Sequence, residues 1–355
     1  MIENIDKNFM LNSGLSRKDI KVYNASEEPF SVYGLIPPSG KDDCYRRVPA
    51  DVAESVSEGV TFLAKHTTGG RVRFKTDSDY IAIYAKLNNM SKMSHMPYTG
   101  SIGFDLYCED NGEHRCLKTF VPPHDIDDSY ESEFEIKNPE MREYTINFPL
   151  YSGVTELYII LGDKAKVEKC REYKYKVPVV FYGSSVTQGG CVSRPGNLFT
   201  NIISRRLDCD HINLGFSGSA KGEQEIADYI ADLDMSVFVY GYDYNAHTPE
   251  YLEKTHYNMY KTIREKNPDL PIIFGSRVNF LTNADEFTPY LKIVTDTIER
   301  AKQEGDTKIY FVEGSRFWHE LNAGDSMFVD NSHPNDLGFM CMANVIGEEL
   351  KKLLK

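Results

Sequence analysis

Four short segments of this chain carry side chains that together could perform acyl transfer. Each follows a run of apolar residues. They are Tyr182-Gly183-Ser184-Ser185-Val186-Thr187-Gln188-Gly189-Gly190, Asn213-Leu214-Gly215-Phe216-Ser217-Gly218-Ser219, Gly241-Tyr242-Asp243-Tyr244-Asn245 and, far downstream, Asp330-Asn331-Ser332-His333-Pro334. Acyl transfer needs a nucleophilic hydroxyl, a base to take its proton, a carboxylate to orient the base, and donors for the oxyanion. Ser185, His333 and Asp330 match the first three needs, and a glycine N–H with an asparagine side chain matches the fourth. Gly183 before Ser185 and Gly189-Gly190 after it allow a tight turn that presents a serine at a helix entrance. Asp330 and His333 are three residues apart, so a single loop can bring carboxylate to imidazole.

Taken singly, each residue has a plainer reading. Ser185 could be a turn serine, Gly218 a flexible turn residue, Asn245 a residue shaping the loop before the next helix, Asp330 a helix cap and His333 a surface histidine. Their joint occurrence at the carboxyl ends of strands favours a site.

The elements that must position them change character near residue 175. Before it lie short runs of β type, broken by Gly, Pro, Asn and Asp: 28–36, 60–66, 71–87, 100–110, 116–123, 130–137, 142–150 and 154–161. Val72, Phe74, Ile81 and Ile83 alternate with other residues at period two. About eight such strands predict a β-sandwich or jelly roll, and 166–176 reads as a polar linker. After it, apolar runs at 177–183, 211–216, 236–242, 271–276 and 308–314 alternate with helical patterns at 197–207, 221–233, 248–267, 286–303 and 335–354. Thr248 is placed to cap its helix, with Pro249 in the first turn. Five strands alternating with helices predict an open parallel α/β sheet, which binds ligands at the carboxyl ends of its strands. The expected domains are 1–170 and 171–355, with the sandwich itself over about 20–165.

Composition narrows the class. The 355 residues include 40 Lys and Arg against 53 Asp and Glu, a net charge of −13, with no basic cluster, so nucleic acid and anionic membranes are poor partners. No segment approaches the roughly 18 apolar residues of a spanning helix, and the polar start is unlike a signal peptide, so a cytoplasmic location is expected. Seven cysteines (44, 108, 116, 170, 191, 209, 341) form no CxxC pair and read as reduced thiols. Cys191 has no histidine beside it in sequence and reads as packing. His66, His95, His114 and His124 lie in separate segments without metal-ligand spacing, and His247 and His256 read as helix-surface or interface residues. Trp318 reads either as packing or as a platform for a sugar ring. No HExxH, P-loop or GxGxxG is present, so neither metal nor nucleotide cofactor is expected.

The four segments resemble the blocks of the SGNH hydrolases, also called GDSL-type esterases. Gly183-Ser184-Ser185 is similar to the first block, Asn213 to Gly218 to the second, Asn245 to the third-block asparagine, and Asp330 to Pro334 to the D-x-x-H block. Gly103-Phe104-Asp105-Leu106-Tyr107 resembles the GxDLY signature of a β-sandwich module that precedes some SGNH domains. There are two departures. Ser184 stands where the family name has Asp, and the third block reads Gly-x-Asp-x-Asn rather than Gly-x-Asn-Asp, which leaves Asp243 as the nearest competitor of Asn245. The resemblance implies a flavodoxin-like, five-stranded catalytic sheet after a jelly-roll domain. It also implies Ser185 as nucleophile, His333 as base, Asp330 as orienting carboxylate, and Gly218 and Asn245 as oxyanion donors.

The expected activity is hydrolysis of small acyl esters of carbohydrates, O-acetyl esters first, through an acyl-enzyme and without cofactor. The alternatives are a short-chain esterase or thioesterase on other small molecules, and a carbohydrate-binding protein with a decayed site. The acidic composition leans toward neutral sugars. The partner expected is a small-molecule or oligosaccharide ester, and a homo-oligomer whose sandwich reaches a neighbour's cleft is a further expectation.

Overall fold

The computed structural model describes residues 15–40, 43–277 and 284–355. The first half forms ten strands: β1 (Ile20–Asn24), β2 (Ser31–Tyr33), β3 (Arg71–Thr76), β4 (Tyr80–Asn88), β5 (Phe104–Asp110), β6 (Glu113–Phe120), β7 (Ser129–Glu135), β8 (Arg142–Asn147), β9 (Gly153–Gly162) and β10 (Val167–Glu168). They make one antiparallel sheet in the order β1-β9-β4-β7 and another in the order β10-β3-β8-β5-β6, with β2 on β3. Residues of period two, among them Val72, Phe74, Ile81, Ile83, Leu106, Ile146 and Ile159, point between the sheets and form one buried core. This is the predicted sandwich.

The second half forms a parallel sheet in the order β12-β11-β13-β14-β15, from β11 (Tyr175–Gly183), β12 (Cys209–Gly215), β13 (Val237–Gly241), β14 (Ile272–Gly275) and β15 (Ile309–Val312). That is the flavodoxin-like order 2-1-3-4-5, whose switch point lies at the first strand, β11. One face is covered by α6 (Gln224–Ala231), α7 (Pro249–Lys266) and α8 (Ala284–Gln303), and the other by α5 (Phe199–Leu207), α9 (Ser315–His319) and α10 (Asp336–Leu353). Thr248 caps α7 by accepting the Tyr251 N–H, as its sequence predicts.

Several expectations are corrected. The run 60–66, read as a strand, forms α2 (Glu58–Leu63), preceded by α1 (Ala50–Val56). Ser57 caps α2 by accepting the Val60 N–H, and Val60 and Leu63 are buried at a spacing of three, so local capping and helical period prevail over the β-branched run. Val48, Ala53, Val60, Leu63 and Ala64 then pack into the core of the parallel sheet. A segment of the first half is thus built into the second. The linker 166–176 contributes β10 and the start of β11. The cap of α10 is Asn335, not Asp330. The polar start, through residue 14, lies outside the described residues. Among the described residues no helix is long and apolar enough to cross a membrane.

Candidate active site

Ser185 opens a four-residue helix, α4 (Ser185–Gln188), at the end of β11. The Ser184 hydroxyl accepts the Val186 N–H at its start, and Gly189, with φ +101°, closes it by donating to the Ser185 and Val186 carbonyls. Gly183 is required by close approach. A Cβ there would lie 2.2 Å from Thr187 Oγ1 and 2.8 Å from the Gly241 carbonyl. The turn therefore folds tightly over the sheet edge with Ser185 half-buried.

His333 Nε2 lies 2.9 Å from Ser185 Oγ, and His333 Nδ1 lies 2.8 Å and 3.0 Å from the two carboxylate oxygens of Asp330. An Nδ1–H donated to Asp330 leaves Nε2 with its lone pair facing the serine hydroxyl. The loop holding this pair is closed on itself, because the Val329 N–H donates to the His333 carbonyl and the Asn335 N–H to the Met327 carbonyl. Asp330 Oδ1 also accepts the N–H groups of His333 and Ser332. Partial burial raises the pKa of Asp330, but those hydrogen bonds and the His333 ring outweigh it and hold the carboxyl below its usual range. The structure thus brings Ser185, His333 and Asp330 into one hydrogen-bonded chain.

Gly218 sits on the adjoining loop with φ +67°, and open space surrounds the position a Cβ would take. The loop is tied to the serine turn by Phe216 N–H to the Gly183 carbonyl, Ser217 N–H to Gln188 Oε1, and Asn213 Nδ2 to the Thr187 carbonyl. Asn245 differs from expectation. Its Nδ2 donates to both the Phe216 and Ala220 carbonyls at 3.0 Å, which leaves the amide no hydrogen for an oxyanion in this arrangement. It stands two residues beyond the usual third-block position, where it reaches over the Gly218 loop and holds it. Asp243 is buried, its Oδ2 accepts the Arg277 N–H at 3.0 Å, and burial raises its pKa against the opposing Arg277 charge.

Residues of the first half complete the surroundings. The Tyr151 hydroxyl donates to the Ser185 carbonyl at 3.3 Å. The His66 ring bridges Gln188 Nε2 and the Asn89 carbonyl. Arg47, fully buried, donates to the carbonyls of Leu63, His66, Asn213 and Gly215 and lies over the Phe216 ring. Among the described residues no carboxylate pairs with it, and burial pulls its pKa down to about 9. The GxDLY segment docks the other side. Asp105 accepts from Asn147 Nδ2, Arg194 Nη1 and the Gly196 N–H, and Arg194 also donates to the Tyr107 hydroxyl. Ser193 and Asn197 in turn donate to Asp336, at the head of α10 and three residues past His333.

His95 and Cys191, set apart in the sequence, meet here. The His95 and His333 ring centroids are 5.9 Å apart, and Cys191 lies beside both histidines. Burial and then the Asp330 charge push the Cys191 thiol up to about 12, so it does not compete as a nucleophile. Only the GxDLY segment was marked in the sequence; Arg47, Tyr151 and His95 carried no signal, because each acts on residues far away in the chain. Trp318 packs on Phe328 and fills the space beside Gly324, and His256 is buried against Thr297 rather than on a helix surface. Behind Ser184 lies a cavity of about 60 Å³ lined by Val186, Thr187, Asp243, Tyr244 and Met342, without Ser185 or His333 among its walls.

The comparisons with known proteins agree with this architecture. The model of the GDSL-like lipase/acylhydrolase family matches residues 176–351, and that of the GxDLY N-terminus of SGNH-hydrolase-type esterases matches residues 20–167. A search of curated proteins finds no match. A GDSL-like lipase from Bacteroides ovatus is 26% identical with a TM-score of 0.82, over 94% of this chain and 98% of that one. A salicylyl-acyltransferase from a tetracycline biosynthetic pathway is 19% identical with a TM-score of 0.76, over 95% and 98%. A family two carbohydrate esterase from Cellvibrio japonicus is 12% identical with a TM-score of 0.60, over 94% and 98%. With both halves matched in the order the sequence presents them, the chain belongs to the GDSL/SGNH hydrolases and carries the GxDLY module at its N-terminal side.

Proposed function

We propose that the protein is a serine esterase that removes small acyl groups, acetyl foremost, from carbohydrates. The observation that carries the reading is the chain of hydrogen bonds from Ser185 through His333 to Asp330. His333 takes the proton of Ser185 as its oxygen attacks the ester carbonyl, and Asp330 holds the ring and stabilises its positive charge. The N–H groups of Ser185 and Gly218 serve as the oxyanion donors in this reading, and neither donates to another group among the described residues. His333 then protonates the leaving sugar oxygen, and water activated by the same imidazole hydrolyses the acyl-enzyme.

A small acyl group is the reading carried over from the family resemblance, since the cavity behind Ser184 is walled off from Ser185 and His333 and does not define an acyl pocket. A carbohydrate alcohol is favoured by likeness of fold to a carbohydrate esterase and by the −13 charge, which disfavours anionic substrates. The test compares acetate release from acetylated xylo-oligosaccharides with a p-nitrophenyl ester series of rising chain length. Acetyl esters of the oligosaccharide should turn over fastest, with Ser185→Ala inactive and folded. Preference for long acyl chains, or turnover retained by Ser185→Ala, overturns the reading.

A further inference from the structure

We infer that His95, Cys191, Asp330 and His333 form a binding site for a thiophilic divalent cation of the zinc class, and that such a cation switches the catalytic histidine off. One donor atom from each of these residues lies within 4.8 Å of the others. The set of two imidazoles, one thiol and one carboxylate matches what zinc takes in a four-coordinate tetrahedral site. Tetrahedral bonds of about 2.0–2.3 Å need donors about 3.3–3.8 Å apart, so closure asks for shifts of about 1 Å. His95 is the exposed histidine of the set, so its side chain can move toward the others.

The backbone makes the placement distinctive. Cys191 holds φ +77°, a left-handed conformation uncommon outside glycine, directly after the Gly189-Gly190 turn that ends α4. His95 comes from the segment leading into α3 (Tyr98–Ser101), so the first half supplies one ligand and the second half three. An extended cysteine or a shorter loop before α3 would leave the cluster incomplete.

The consequence for the site follows from His333 having only two ring nitrogens. Nε2 faces Ser185 and Nδ1 faces Asp330. Whichever nitrogen a cation takes is withdrawn from the proton path, and Asp330 as a ligand no longer orients the ring. On binding, the Cys191 thiol gives its proton to solvent and the sulfur pair goes to the metal; no electron is transferred. The inhibitory effect rests on the esterase reading, whereas the binding does not.

Cobalt(II) separates the two, because a thiolate ligand gives it a near-ultraviolet charge-transfer band and tetrahedral geometry gives strong visible bands. One equivalent added to the full chain should produce both, zinc should bleach them, and Cys191→Ser should abolish the charge-transfer band. Ser185→Ala should bind cobalt unchanged, even if the esterase reading fails. With p-nitrophenyl acetate, zinc should inhibit reversibly, with chelator restoring activity. His95→Ala and Cys191→Ser should each keep basal turnover and raise the inhibitory zinc concentration at least about tenfold. Absence of the charge-transfer band at one equivalent, cobalt spectra unaffected by Cys191→Ser, or zinc inhibition unaffected by His95→Ala would overturn the site.

Discussion

Asp105 and Arg194 meet across the junction of the two halves, Oδ2 to Nη1 at 3.0 Å, with the carboxylate fully buried. The same oxygen accepts the Gly196 N–H at 2.7 Å, so a single side chain of the GxDLY segment grips the loop that follows the serine turn. From that loop, Ser193 and Asn197 reach Asp336 at the start of α10. The signature thus couples the sandwich to both ends of the candidate triad.

Removing the carboxylate leaves a largely buried guanidinium and an N–H without their partner. Asp105→Ala should lower stability by about 3–5 kcal/mol in urea unfolding. Adding Arg194→Met should recover part of that loss, since the orphaned charge goes with it. Additive losses in the double variant would show that the pair is not coupled.

Asp330 accepts four hydrogen bonds from its own loop and the His333 ring, and these hold its carboxyl below its usual range. Asp330→Asn keeps the shape but removes the charge that supports a protonated imidazole. Ester turnover should fall by about 10²–10⁴-fold, with the thermal midpoint little changed. Near-normal turnover would place the orienting group elsewhere.

Asn245 gives a sharper contrast. Its amide holds the Phe216 and Ala220 carbonyls, so Asn245→Ala should cost about 1–3 kcal/mol of stability and reduce turnover less than about tenfold at a temperature where the variant is folded. An oxyanion donor lost from the site would instead reduce kcat by about 10²–10³-fold. Steady-state kinetics on the folded variant decides between the two.

Three buried histidines set the acid limit of stability. Burial, reinforced by Arg47, lowers His66 to about 3; burial lowers His256 to about 3; and burial and Arg71 hold His211 well below the ordinary range. In the unfolded chain each takes a proton near pH 6.5, so below that value the unfolded state binds more protons and stability falls as pH falls. Between pH 7 and pH 5 the loss should be about 2 kcal/mol for His66 and for His256, with His211 acting in the same direction. Urea midpoints across this window should drop, and His256→Gln should flatten the slope. A pH-independent midpoint would mean that these rings titrate in the fold as they do in the unfolded chain.

What could be read along the chain was local. Alternation at Val72, Phe74, Ile81 and Ile83, the glycines around Ser185, the Thr248-Pro249 helix start and the three-residue reach from Asp330 to His333 all act within a few residues. Backbone geometry and side-chain period therefore determine them without tertiary contacts. The exception among local signals was 60–66, where the cap at Ser57 lay just outside the apolar run.

What the tertiary structure alone decided are the long-range partners. Arg47 holds carbonyls up to 168 residues away, Tyr151 donates to the Ser185 carbonyl, Asn245 turns onto the Gly218 loop, and His95 arrives beside His333 and Cys191. None of these contacts has a sequence period or spacing. Arg47 arrives with the segment that carries α1 and α2 into the core of the parallel sheet, Tyr151 and His95 come from the first half, and Asn245 turns onto its partners within the second half. The sequence by itself determined which chemical groups stand at each strand end, whereas tertiary packing, within the second half for Asn245 and between the halves for Tyr151 and His95, decided what surrounds them and which donors are already taken.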